Sequence, residues 1–157
     1  MEVVARAATT ADRDVVADLA TLAIEELTPH RGGAMWRRES ARPIPTGPSI
    51  DADLDEGTTH VVVGTIDEVP VGYAVVRATE LADGSSIGRI TDLFTLEGAR
   101  GVGVGEAMMD ELLRWSDEHD CIGVDSVALP GDRHTKNFFE SFGLVARALV
   151  VHRSLER

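Results

Sequence analysis

The stretch Phe94-Thr95-Leu96-Glu97-Gly98-Ala99-Arg100-Gly101-Val102-Gly103-Val104-Gly105 passes from an apolar, strand-like segment through a glycine-rich turn into an amphipathic helical pattern. Glycines alternate at 101, 103 and 105, leaving a run of backbone N–H groups unshielded by side chains where a helix begins. An anionic phosphate group needs such a run, because the first N–H groups of a helix lack intrahelical partners and the helix dipole favours negative charge there. Beyond the turn, Val104, Met108, Leu112 and Trp115 share one stripe while Glu106, Asp110, Glu111 and Arg114 face away. The spacing predicts a helix packed on a sheet.

Working outward, Thr59 to Ile66, Val71 to Glu80 and Ile87 to Leu96 are rich in β-branched residues and are separated by turn signals at 67–70 and 82–85. Three antiparallel strands are therefore expected ahead of the glycine loop. Val3 to Ala8 can form an earlier strand. A helix follows it, capped at Thr9 or Thr10, with Val15, Leu19, Leu22 and Ala23 at helical spacing. After the glycine loop and its helix, Ile122 to Leu129 reads as a strand, and the helix-to-strand connection lets it lie parallel to the one before. Asp132 to Ser141 reads as a short helix with Asp132 as N-cap and Gly143 as a left-handed stop. Leu144 to Val151 and His152 to Leu155 read as one or two closing strands. The order predicts an α+β fold with a mixed, mostly antiparallel sheet.

Between Pro29 and Gly57 the periodicity weakens. Pro43, Pro45 and Pro48 fall within six residues and argue against regular structure there, beyond a short helix around Met35 to Arg38. A long loop in a compact domain often lines a binding site, and His30, Trp36 and the acidic run 51–56 are the residues there best suited to touch a ligand.

A chain of 157 residues, 43% of them apolar, can fill one core, so one domain over 1–157 is expected. No apolar run approaches the roughly 20 residues needed to span a bilayer, and the N-terminus lacks the order of a signal peptide, so a cytoplasmic soluble protein is expected. The net charge of -12 disfavours nucleic acid and anionic membranes and mildly favours a cationic ligand. Cys121 is alone, which excludes an intrachain disulfide, and its neighbours Ile122 and Val124 suggest a core thiol. A nucleoside-triphosphate loop needs a lysine after the last glycine, and none follows Gly105; the dinucleotide fingerprint would require glycine at the position of Glu106.

The pattern Arg100-x-x-Gly103-x-Gly105, between a strand and an amphipathic helix, resembles the acetyl-CoA loop of the GCN5-related N-acetyltransferase superfamily (GNAT). The opening residues, the hairpin region, the segment Asn137-Phe138-Phe139-Glu140-Ser141-Phe142-Gly143 and the terminal Val150-Val151-His152-Arg153-Ser154-Leu155 resemble that family too. The resemblance implies a twisted sheet splayed between its fourth and fifth strands, about four flanking helices, and acetyl transfer from acetyl-CoA to a primary amine of a small molecule or peptide, without a metal. The N–H groups of Gly101, Val102, Gly103, Val104, Gly105 and Glu106 would hold the pyrophosphate, with Arg100 adding charge or pinning the loop. The edge of Leu93, Phe94 and Thr95 would pair with pantetheine, and Asn137 would lie near that arm.

The resemblance also points to Asp92 as the general base, with Thr91 where polyamine acetyltransferases carry a glutamate and Asp125 as a weaker choice. Phe139 stands where many members have a tyrosine that protonates the departing CoA sulfur. Phe139 cannot do this, so the thiol would leave as thiolate or take a proton from water, with slower transfer, or His134 would substitute; the rival reading is a CoA-binding sensor or assembly module with impaired catalysis. Members of the family are often homodimers, though nothing in the sequence marks an interface.

Overall fold

The computed structural model describes residues 1–157. The chain runs β1 (Val3–Ala7), a single 3-10 turn, α1 (Arg13–Leu27), α2 (Gly33–Glu39), α3 (Gly47–Asp55), β2 (Thr59–Ile66), β3 (Val69–Glu80), β4 (Ser86–Thr95), a second 3-10 turn, α4 (Val104–Glu118), β5 (Cys121–Ser126) and α5 (Arg133–Ser141). The strands form one sheet in the order β1-β2-β3-β4-β5. Neighbours are antiparallel except β4 and β5, which are parallel. The mixed sheet and the strands on either side of the glycine loop are as the sequence implies.

Both faces of the sheet are covered, so alternate residues of the central strands enter different cores. Val61, Val63, Tyr73, Val75 and Phe94 meet Val16, Leu19, Ala20 and Ile50 of α1 and α3. On the other face, Val62, Ala74, Val76 and Ile90 meet Val104, Met108, Met109, Leu112 and Trp115 of α4, together with Phe139 of α5. Gly64 lets α4 lie close, since a Cβ there would come within 2.6 Å of Val104.

Several expectations change. The buried stripe of α1 is Val16, Ala17, Leu19, Ala20 and Ile24, whereas Leu22 is exposed, because the helix is rotated from the stripe its spacing suggested. The proline-rich segment holds a complete helix, α3: Pro48 sits in its first turn, where the missing N–H is no loss. The fifth strand ends at Ser126, and Cys121 at its start is half-buried instead of lying in the core. Residues 144–157 form no strand.

β4 and β5 diverge partway along. Their register ends at Ile90↔Ser126, whereas β4 continues to pair with β3 as far as Gly72↔Thr95. The outer edge of Thr91 to Thr95 is left without a neighbouring strand. Asp92 faces Val75 and Ile90 faces Val76, so Thr91 is an extra residue, and the strand is kinked where it leaves β5.

Candidate active site

The divergence opens a cleft of about 610 Å³. One wall is the glycine loop and the first turn of α4; the floor is β4; the far side is built by the end of α1, His30, Trp36, Arg42, Tyr73 and Arg77. His134, Thr135 and Phe138 of α5 close the remaining side.

In the loop, Gly101 and Gly103 take φ of 82° and 100°, values that L side chains adopt only under strain. Gly103 is the N-cap of α4. A Cβ on either glycine would meet nothing within 4 Å, so backbone conformation, not crowding within the protein, requires them. The main chain hands no hydrogen bond from the N–H groups of Gly101 through Glu106 to any protein carbonyl; the next N–H, of Ala107, bonds to Gly103 O at 3.0 Å. Six successive donors at the positive end of a 15-residue helix fit a pyrophosphate by number and by field.

Arg100 pins this loop. Its Nε donates to Thr95 O at 2.8 Å, its Nη2 donates to both Glu26 carboxylate oxygens at 2.8 and 2.7 Å, and the guanidinium lies 5.6 Å from the Phe94 ring centroid. Its charge is matched by Glu26, which leaves the anion-binding work to the backbone.

Leu93, Phe94, Thr95, Arg100, Gly101, Val104, Gly105 and Glu106 all line the cleft. Val102 and Gly103 belong to the same turn without lining it. Asn137 is exposed on α5, and Phe139 is buried in the core under α4; neither borders the cleft, whereas Phe138 does. A Cβ on Gly105 would sit 3.4 Å from the Phe138 ring, so this glycine brings the loop and α5 together.

Asp92 lies on the cleft floor with its side chain 11% exposed. It accepts from Arg42 Nε at 2.9 Å and Nη2 at 3.0 Å, from the Tyr73 hydroxyl at 2.6 Å and from Thr91 Oγ1 at 2.7 Å. Burial pushes this carboxyl up, but the charge and hydrogen bonds of Arg42, with those of Tyr73 and Thr91, hold it below the usual carboxylate range. Burial and the Asp92 charge together raise the Tyr73 phenol well above its ordinary value. Asp53 completes the cluster, 2.6 Å from Arg42 Nη2 and bound by both terminal nitrogens of Arg77 at 2.5 and 2.8 Å.

Sequence reasoning missed Arg42, Asp53, Tyr73 and Arg77. Arg77, interrupting an apolar strand, was a signal for a buried ion pair; Arg42 among prolines offered none. Of the acidic run 51–56, Asp53 belongs to this cluster and Asp51 pairs with Arg13, and no residue of the run lines the cleft. Asp125 is taken up by Arg147 and Arg89.

The arrangement can hold an anion on main-chain donors, pair an extended amide chain along the open β4 edge, and present the imidazoles of His30 and His134, which make no side-chain hydrogen bond to the protein, to whatever occupies the cleft. No group of three or more His, Cys, Asp or Glu side chains gathers as metal ligands do.

A sequence model of the Acetyltransferase (GNAT) family matches residues 21–144. No curated protein matches the chain. Among solved structures, a tetramutant of the BH1408 protein from Bacillus halodurans has a TM-score of 0.80 at 21% identity, over 97% of this chain and 99% of that one. The aminoglycoside N-acetyltransferase AAC(6')-Iy, in complex with the bisubstrate analogue CoA-S-monomethyl-acetylneamine, has a TM-score of 0.77 at 15% identity, covering 98% and 99%. A ribosomal-protein-alanine N-acetyltransferase from Brucella melitensis biovar Abortus has a TM-score of 0.72 at 15% identity, covering 98% and 100%. At these identities the likeness is one of fold.

Proposed function

This chain belongs to the acetyltransferase (GNAT) family, and on that footing we propose that it transfers an acetyl group from acetyl-CoA to a primary amine of a small molecule or peptide. The observation that carries the reading is the row of six unpartnered N–H donors, Gly101 to Glu106, opening into the cleft beside the unpaired β4 edge. The backbone of Gly101 to Glu106 holds the pyrophosphate; Leu93, Phe94 and Thr95 pair with the pantetheine amides; Arg100 keeps the loop in register with β4. Bound acetyl-CoA supplies an activated thioester, and the chain supplies position, exclusion of water and proton traffic.

The amine arrives from the side of His30, Trp36 and Arg42. Asp92 acts there as a positioning residue: its ionised carboxylate fixes Arg42 and Tyr73, and four donors already occupy it. Proton removal from the amine then passes through solvent in the cleft. Tyr73 is the chain's single tyrosine, and its proton is donated to Asp92, so it is not available to the leaving sulfur. His134 is the side chain on the cleft wall best able to protonate that sulfur. The net charge of -12, with Glu106 and Asp132 on the cleft, favours a cationic acceptor. The full engagement of Asp92 also favours a second reading, a CoA-binding module that senses acetyl-CoA without turning it over.

Incubation with acetyl-CoA and a panel of polyamines, aminoglycosides, amino acids and peptides, followed by thiol release and mass spectrometry, tests both. Free thiol with an acetylated product is expected. Saturable CoA binding without turnover across the panel would select the sensor, and absence of CoA binding would overturn both readings.

A further inference from the structure

The charged side chains on the acceptor side of the cleft do not balance. Arg77 and Arg89 are Cα partners on β3 and β4, so they stand side by side on one face of the sheet. Arg77 is answered by Asp53, but Asp53 is also held by Arg42, whose other carboxylate is Asp92. The one carboxylate Arg89 reaches is Asp125, at 3.4 Å, and Asp125 is already paired with Arg147. Four arginines thus share three carboxylates, and the surplus positive charge sits where two arginines face each other across the strands. Like charges placed so destabilise a sheet, and one added anion relieves them.

Both arginines have donors to give. A guanidinium carries five N–H groups, and Arg77 uses two of its own, on Asp53. Its side chain is 35% exposed and lines the cleft, and that of Arg89 is 43% exposed. Arg42 differs: at 8% exposure, with Asp92, Ser49 and Asp53 as partners, it is committed to structure. The remaining acids of the cleft are occupied or distant. Glu26 holds Arg100, Asp132 caps α5 through Thr135, and Glu106 belongs to the first turn of α4 at the phosphate end. The segment that brings His30 and Trp36 to the cleft is basic as well. Residues 31–42 carry Arg31, Arg37, Arg38 and Arg42 against Glu39, a net of +3 in a chain whose total is -12.

Position along the sheet sets the scale of what these groups can read. Arg89 precedes Thr91 by two residues, and the outer edge of β4 opens at Thr91, so the paired arginines stand roughly 7 Å along the strand from that opening. A molecule the size of an amino acid spans this distance.

We propose that Arg77, with Arg89 beside it, binds a carboxylate of the acceptor, so that the substrate class is a small amine bearing a carboxylate close to the amine, as an amino acid does. This rests on the acetyl-transfer reading and narrows it. The field of the whole molecule draws an ammonium in, and the arginine pair selects, among amines, those with a carboxylate at the far end. Polyamines and aminoglycosides lack that group.

The test uses matched sets: each amino acid of a panel, its carboxamide, and the amine without the carboxyl group. Turnover with acetyl-CoA and calorimetric binding to the CoA-saturated protein are measured for each. The best amino acid is expected to exceed its carboxamide by about 10-fold or more in affinity, the range of a charge-assisted hydrogen bond. Arg77→Met is expected to bring that ratio close to one, and Arg77→Lys to restore part of it, since a lysine keeps the charge but loses the fork. Arg89→Met, outside both cores, is expected to lower the ratio several-fold with an unchanged urea midpoint, and decides the matter should Arg77→Met fail to fold. The ratio within each variant separates recognition from general damage, which lowers the binding of acid and amide alike. Acetylation of amines with acid and amide bound equally would overturn the proposal and leave acetyl transfer standing. CoA binding without turnover would overturn acetyl transfer, and the calorimetric ratio would still decide the carboxylate site. A preference that survives at both Arg77→Met and Arg89→Met would place the carboxylate elsewhere and overturn the proposal.

Discussion

The carboxylate of Asp92 accepts four hydrogen bonds, two of them from a guanidinium that is itself nearly buried. A group in that setting stays ionised at neutral pH and has no free lone pair aimed at an ammonium, which is the opposite of what a general base requires. Asp92→Asn is therefore expected to act on structure first. It leaves Arg42 with Asp53 as its one remaining carboxylate partner, a loss of about 3 kcal/mol by urea unfolding, and it raises acceptor KM while the pH profile of kcat/KM keeps its shape. A fall in kcat of about 100-fold or more at unchanged KM and unchanged stability would instead mark Asp92 as the base. Phe139 teaches the complementary lesson. Buried with Val62, Met109 and Leu112, it has no line to the cleft, so Phe139→Tyr is expected to bury a hydroxyl at a cost of about 1–3 kcal/mol without raising turnover. Denaturant midpoints and steady-state rates measured on one preparation check both halves.

Among elements, the glycine loop and α4 form a single device. The loop presents its donors only while Gly101 and Gly103 remain left-handed, and α4 stays in place because Gly64 on the sheet leaves room for Val104 and Met108. Gly103→Ala is expected to weaken CoA binding by about 10-fold, as a left-handed alanine costs roughly 1–2 kcal/mol and the loop relaxes away from the strained geometry. Gly98→Ala is the control: it has open space and no positive φ, and calorimetry is expected to find its CoA affinity unchanged. The helices of the proline-rich segment are read through what they carry: α3 delivers Asp53, and the turn between α2 and α3 delivers Arg42, so this stretch supplies half of the charged cluster under the acceptor side.

The molecule is tied together by carboxylates whose partners pull them below the ordinary range: Asp12 by Arg6, Glu111 by Arg114, Asp125 by Arg147 and Asp92 by Arg42 against burial. Folding therefore binds these carboxylates in their ionised form, and the unfolded chain takes up protons first as pH falls. The stability they contribute is fully present above the unfolded values of about 4 and is lost as pH drops through the lower folded values. Melting temperature is expected to be flat from pH 7 to about 5 and to fall steeply below about 4. Differential scanning calorimetry across that range, in one ionic strength, checks the direction.

The glycine turn, the stripe of α4, the three strands before it and the Asp132 cap were legible because each depends on residues within a few positions and on hard sterics: φ above zero needs glycine, and one helix face needs one spacing. The family resemblance was legible for the same reason, since the family's loop is a local motif. What Asp92 can do was not, because its protonation depends on Arg42, fifty positions away. Nor was the ownership of Arg100 by Glu26, or which of Phe138 and Phe139 faces the cleft, since each follows from how α1 and α5 rotate against the sheet. The closing strand shows the same divide: its sequence has strand character, but a strand exists only with a partner, and residues 144–157 pair with none here.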